Sequence, residues 1–312
     1  VKAAQLAALA AIALLLPAAA HGQRPRLLGL SHAAFRVSDL ERARAFYEGF
    51  LGYTAVSPMA TSPGPRRLLI LLNQRQYLEL VAGLDPAQDR LDHVALLTDD
   101  LAQARSLLAA RRIPFAEAAS EAGGNPALST RDAEGRALEI VEHARDGWPR
   151  SFAPAPPDSA AISPRMLHAG VLAGELDAAN RFYASGLGLQ ETWRGSRDEK
   201  VLSWTNLQVP DGEEYIELML YGALPAPDAR GTAHHVCLEV ADIERARARL
   251  LERGYAKTYG RPLEIRTGVN RRRQLNLYDP DGTRVELMEP RTVDGQPVPS
   301  SQAPPPRRPP KR

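Results

Sequence analysis

Apolar and polar positions along this chain fall into a pattern that recurs four times. A short apolar run near a histidine comes first. An Ala/Arg/Leu stretch with helical spacing follows. Several short apolar runs close the unit, the last carrying a single glutamate. Alternation with period two predicts strands, and apolar spacing near 3.6 predicts a helix. The first unit opens with SHAAFRVSDLERARAFYEGFLGY at 31–53, and the third with LHAGVLAGELDAANRFYASGLGL at 167–189. They align His32 with His168, Phe46-Tyr47 with Phe182-Tyr183, and Leu51-Gly52 with Leu187-Gly188. The second and fourth units, LDHVALLTDDLAQARSLLAARRI at 91–113 and AHHVCLEVADIERARARLLERGY at 233–255, align His93 with His235. An acidic residue precedes each of these two helices, Asp99 or Asp100 in one and Asp242 in the other, where a carboxylate suits an N-cap.

The closing runs are YLELV (77–81), ALEIV (137–141), YIELM (215–219) and RVELM (284–288). Two follow the turns Asp132-Ala133-Glu134-Gly135 and Asp279-Pro280-Asp281-Gly282. Each unit therefore reads βαβββ. The expected fold class is α+β, with four modules paired into two tandem domains at 27–147 and 165–290. Prolines cluster at 148–164, which reads as an interdomain linker.

The ends read differently. Lys2, the apolar run LAALAAIALLL at 6–16, Pro17 and Ala18-Ala19-Ala20 read as a cleavable export signal over 1–22. The run is shorter than the roughly 20 residues of a comfortable bilayer span, so no stable membrane insertion is expected after cleavage. The expected location is periplasmic or secreted. Residues 291–312, rich in proline and ending RRPPKR, read as a disordered or extended tail. Over 312 residues, Lys and Arg number 39 against 37 Asp and Glu, a net charge of +2. That balance speaks against nucleic acid as a partner. The positive surplus lies in the two ends, which leaves a slightly acidic core. The single cysteine, Cys237, excludes an internal disulfide framework and any multi-cysteine metal site.

The glutamates in the closing runs are the chemical signal. A carboxylate inside an apolar strand is costly to bury without a partner, and a cation is a natural one. In the first domain the order is His32, Glu79, His93, Glu139. In the second it is His168, Glu217, His235, Glu286. The chain has seven histidines, and four of them hold these equivalent places. Two imidazoles and two carboxylates suit one borderline divalent ion per functional domain: Fe, Mn, Ni, Co or Zn. The second domain is preferred because its Asp-Pro-Asp-Gly turn is intact. Tyr215 shares a strand face with Glu217 and reads as core or pocket wall. Cys237 shares the face of His235 and reads as a small pocket-lining residue, while His234 points away. Arg271, Arg272 and Arg273 suit an anionic substrate or a solvated turn. His21 leaves with the signal, and His143 has no repeat partner.

These residues resemble the vicinal oxygen chelate superfamily, which includes glyoxalase I, methylmalonyl-CoA epimerase, extradiol dioxygenases and bleomycin- and fosfomycin-resistance proteins. The resemblance implies a U-shaped sheet around one metal in each pair of modules. It also implies a lyase or isomerase of glyoxalase or epimerase type acting on a small substrate with vicinal oxygens. Glu217 or Glu286 would move the proton beside an enolate-like intermediate. Four modules in one chain also resemble the extradiol dioxygenases, whose triad would be His168, His235 and Glu286. Against ring cleavage, Asn276 stands at the family's tyrosine position, and no histidine lies between His235 and Glu286. A third reading is a non-catalytic protein that sequesters a small molecule in the same cleft. Four modules supply both pairings within one chain, so a monomer suffices.

Overall fold

A computed structural model describes residues 24–57, 65–119, 124–150, 160–230, 232–254 and 259–307. The expected signal, residues 151–159 of the linker and the last five residues of the tail lie outside the described residues.

The first module comprises β1 (Leu27–Val37), α1 (Leu40–Arg44), β2 (Thr54–Val56), β3 (Arg67–Leu71) and β4 (Tyr77–Ala82). The second comprises β5 (Leu91–Thr98), α2 (Leu101–Ala110), β6 (Phe115–Ala119), β7 (Pro126–Arg131) and β8 (Ala137–Glu142). The third comprises β9 (Arg165–Ala173), α3 (Leu176–Asn180), β10 (Gln190–Ser196), β11 (Leu202–Gln208) and β12 (Tyr215–Leu220). The fourth comprises β13 (His235–Glu239), α4 (Ile243–Glu252), β14 (Ile265–Thr267), β15 (Arg272–Tyr278) and β16 (Arg284–Thr292). All four modules are βαβββ.

Two eight-stranded mixed sheets result. Their orders are β2-β3-β4-β1-β5-β8-β7-β6 and β10-β11-β12-β9-β13-β16-β15-β14. The two modules of each domain meet at an antiparallel pair, β1 with β5 and β9 with β13. Each of these strands also pairs in parallel with the closing strand of its own module. The helices cover the other face. Ile243, Ala246 and Leu250 of α4 are buried at helical spacing, and Asp242 caps the helix by accepting from Arg245 N–H. Asp100, not Asp99, caps α2 through Gln103 N–H. Such a cap contributes about 1 kcal/mol. Among the described residues no helix is long and apolar enough to cross a membrane.

The repeated Phe-Tyr pairs explain how the two domains meet. Both lie in π-helical turns after α1 and α3, at Ala45–Phe50 and Arg181–Gly186. Tyr47 donates from its hydroxyl to Asp279 in the turn of the second domain, at 3.3 Å. Tyr183 does the same to Asp132 in the turn of the first, at 3.0 Å. Ser38 donates from its hydroxyl and its N–H to Asp281, and Gly174 N–H donates to Glu134. The contacts are reciprocal, so each repeated Tyr and each repeated turn has its partner in the other domain.

Of the two forms expected of the tail, disordered or extended, its described residues take the extended one. Residues 293–307 are ordered along the second sheet. Val293 N–H donates to Arg271 C=O, Ser301 N–H to Arg194 C=O, and Leu202 N–H to Pro304 C=O. Ala303 joins the main core. The prolines signalled a chain without helix or internal ladder, which is correct. An extended chain can still dock through its carbonyls and small side chains.

Candidate metal centres

The four central strands of the second sheet bring His168, Glu217, His235 and Glu286 to one face. In register, Glu217 and His235 both stand beside Gly170, and His168 and Glu286 both stand beside Cys237. The two intervening positions must be small. A Cβ on Gly170 would fall 1.9 Å from the His235 ring, so glycine there lets the imidazole lie over β9. Cys237 is fully buried, and burial pushes its thiol well above the usual range. It fills the second small position.

His168 Nε2 and His235 Nε2 stand 3.0 Å apart. Glu286 Oε2 lies 3.4 Å from the first and 3.5 Å from the second. Glu217 Oε2 lies 3.4 Å from His235 Nε2 but 3.9 Å from His168 Nε2. Burial alone would raise both carboxyls. The two imidazoles outweigh it, holding Glu286 well below the usual carboxylate range and lowering Glu217. Burial and Arg284 push His235 down, but the two glutamates outweigh them and raise it. His235 Nδ1 lies 3.0 Å from Ala233 C=O. Arg284 Nη2 lies 2.6 Å from the same Nδ1, and these two contacts hold the ring with its Nε2 turned toward the cluster. The Tyr215 ring stacks obliquely on His168, 4.6 Å between centroids, which seats an imidazole whose buried Nδ1 has no hydrogen-bond partner among the described residues.

This donor set fits a divalent first-row ion. Neighbouring ligands about 2.1 Å from a metal and at right angles stand about 3 Å apart, as the two Nε2 atoms do. Beside Glu217 and Glu286 opens a cavity of about 340 Å³, with Trp193, Trp204, Arg197, Arg266 and Arg284 in its walls.

The first domain repeats the plan with changes. His32 Nε2 and His93 Nε2 are 2.9 Å apart. Glu139 Oε2 lies 3.9 Å and 3.8 Å from them, and Glu79 Oε2 3.9 Å from His32 Nε2. Tyr77 stacks on His32 at 4.4 Å, as Tyr215 does on His168. Arg67 on β3 forms an ion pair with Glu79. The equivalent position on β11 is Trp204. Trp148 packs with Leu69, Leu71 and Tyr77 over this face. Each domain thus holds one cluster fit for a divalent metal, and the first has a guanidinium already bound to one of its carboxylates.

Sequence reasoning missed several residues here. Asp92 lies 2.8 Å from His93 Nδ1, the carboxylate–histidine arrangement that orients a metal ligand. Ser31 Oγ is 3.2 Å from His32 Nδ1 and 2.8 Å from His143 Nε2. Burial, with Arg150 and Arg75, pushes His143 down to about 4. None of these recurs in the second domain, so the repeat could not reveal them. His234 does turn away from the cluster, 3.1 Å from Asp89 of the first domain. Arg271 and Arg273 pair with Asp294 and Glu289, so they are not the arginines of the cavity.

A family model described as the Glyoxalase/Bleomycin resistance protein/Dioxygenase superfamily matches residues 165–287. A second model of the same description matches residues 31–128. Together they take in more than half of the chain. This protein belongs to that superfamily. Among solved structures it is similar to the 2,3-dioxygenase LapB from Pseudomonas sp. KL28. That likeness has 16% identity and a TM-score of 0.68, covering 88% of this chain and 98% of that one. It is also similar to the Mn(II)-bound glyoxalase from Novosphingobium aromaticivorans, with 15% identity and a TM-score of 0.64, covering 90% and 89%. A variant of homoprotocatechuate 2,3-dioxygenase from Brevibacterium fuscum gives 17% and 0.63, covering 85% and 72%. At these identities the likeness concerns the fold. A search of curated proteins finds no match. The paired-module architecture of the superfamily accounts for both clusters, since each lies where two modules meet.

Proposed function

We propose that the second domain is a metal-dependent enzyme site for a small substrate with two adjacent oxygens, and that its reaction is extradiol-type ring cleavage. The observation that carries this reading is the unequal placing of the two carboxylates. Both line the cavity, but Glu286 is close to both imidazoles while Glu217 stands off His168 by 3.9 Å. His168, His235 and Glu286 then form a two-histidine, one-carboxylate triad, the set suited to non-haem Fe(II) oxygenases. When bound, the ion would draw the two substrate oxygens together and lower their pKa values. Glu217, held ionised, takes the proton from a substrate hydroxyl at its Oε2. Trp193 and Trp204 offer flat walls for a ring. The likeness to ring-cleaving dioxygenases along both domains supports this reading over the lyase or isomerase expected from the four-ligand pattern.

The glyoxalase or epimerase reading keeps a specific observation of its own. Glu217 Oε2 is 3.4 Å from His235 Nε2, near enough to complete a four-ligand set. Neither histidine nor tyrosine is among the residues lining the cavity, and Asn276 faces Glu286 across β15 and β16. Proton transfer by a glutamate is then the whole of the chemistry.

The two readings separate in one pair of assays on the full chain. Loaded anaerobically with Fe(II), the protein is expected to consume dioxygen in proportion to added diol, with a rise in visible absorbance from the opened ring. No uptake with any diol overturns ring cleavage. Exchange of a carbon-bound proton next to a carbonyl in D2O, with Mn(II)- or Ni(II)-loaded protein, would install the isomerase reading in its place. Binding without turnover in both assays would leave sequestration.

A further inference from the structure

The cavity beside the second-domain cluster holds more positive charge than its carboxylates balance. Arg197, Arg266 and Arg284 line it together with Glu217 and Glu286, and the two glutamates are committed to the metal cluster. Arg266 has an ion-pair partner in Glu264. Arg284 has none among the described residues. Its polar neighbours are His235 Nδ1 at 2.6 Å and Met219 Sδ at 3.8 Å, and its Nε is buried without a partner. A partly buried cation without a counter-charge is costly. Arg197 makes no ion pair among the described residues either; its guanidinium lies over the Trp204 ring, 5.1 Å from the centroid. This surplus is particular to the second domain. The residue beside His93 is Ala137 where Arg284 stands beside His235. Arg67, in the place of Trp204, is spent on Glu79.

We propose that the substrate of this site carries a carboxylate, bound by Arg284 and Arg197, with its flat body against Trp204. The inference rests on the second domain being the metal site, and it holds for either chemistry at that metal. Arginine presents paired N–H donors that match the two oxygens of a carboxylate. Arg284, touching the outer nitrogen of His235, places that carboxylate close to the metal-chelating end of the substrate. A cavity of about 340 Å³ sits at the lower end of the range for small-molecule sites, so the substrate is a single small ring or its equivalent.

The test uses the full chain loaded with Zn(II), which has no redox chemistry and keeps turnover out of the measurement. Binding of 3,4-dihydroxybenzoate, catechol and 3,4-dihydroxybenzenesulfonate is read by titration calorimetry, with zinc content measured on the same samples. The expected result is that the carboxylate binds at least about tenfold tighter than catechol, the scale of a charge-assisted hydrogen bond. Arg197→Gln and Arg284→Met should each lower carboxylate affinity at least about tenfold while changing that of catechol by less than about twofold. Arg197→Gln carries the greater weight because Arg197 touches no metal ligand. Equal affinities for carboxylate and catechol, failure of both to bind, or an unchanged preference in both variants overturns the proposal. Tighter binding of the sulfonate overturns the choice of carboxylate. A retained carboxylate preference in protein that never consumes dioxygen sinks ring cleavage alone.

Discussion

His168 and His235 aim their Nε2 atoms at one point inside a sheet, with two ionised carboxylates around it. Four polar groups of this kind in an apolar interior are hard to justify by stability alone, because desolvation costs several kcal/mol per ion. A divalent ion balances the two glutamates and occupies both imidazole lone pairs. The unequal distances of the glutamates give a direct prediction. Glu286→Gln should lower metal affinity by at least about tenfold more than Glu217→Gln, since loss of a ligand outweighs loss of a neighbour. Competition with a chromogenic chelator measures both. Equal losses would place Glu217 in the ligand set and favour the four-ligand chemistry. At this scale the chain was legible wherever it repeats itself, as with the eight His and Glu positions. Asp92, Ser31 and His143 support the first cluster alone, and Arg197 and Arg284 serve the second alone. A residue without a counterpart leaves no periodic trace, and its role depends on which strands become neighbours.

The βαβββ modules were legible because their strand runs, helix starts and closing glutamates recur, even though the central strands are buried on both faces and do not alternate. The tail was not, because its docking depends on surfaces that only the folded second domain supplies. It ties the β14–β15 turn, through Arg271, to the β10–β11 hairpin, through Arg194 and Leu202. Both of these elements contribute walls of the cavity. Ending the chain after Thr292 should therefore lower stability by about 2 kcal/mol, from the lost hydrogen bonds and the re-exposed apolar contacts. It should also speed proteolytic cutting within residues 196–202. Unchanged melting and unchanged cutting would mean that the tail is only laid along the surface.

The reciprocal domain contacts make the whole molecule sensitive to pH at one named residue. Burial pushes Asp279 up to about 6, with Asp281 adding to the effect against hydrogen bonds from Thr283 and Asp281. Its folded-state pKa is above the unfolded value of 3.8. The stability linked to its protonated form is therefore fully present below 3.8 and is lost as pH rises through about 6. Between pH 5 and 7.5 that loss is about 1.4 kcal/mol. Urea unfolding of wild type and Asp279→Asn at both pH values checks it. The wild type should lose stability relative to the variant on going to pH 7.5, and a constant difference between them would refute the linkage.

The central claim is that the third and fourth modules build a metal centre in the second domain, opening on the arginine-lined cavity. Crystals grown from protein reconstituted with Mn(II) or Zn(II), with anomalous data collected at the metal's absorption edge, test it most directly. The account predicts a strong peak bounded by His168 Nε2, His235 Nε2 and Glu286 Oε2. It also predicts a weaker one in the first domain, where Arg67 already holds Glu79. No peak at His168 and His235, or a peak in the first domain alone, would contradict it.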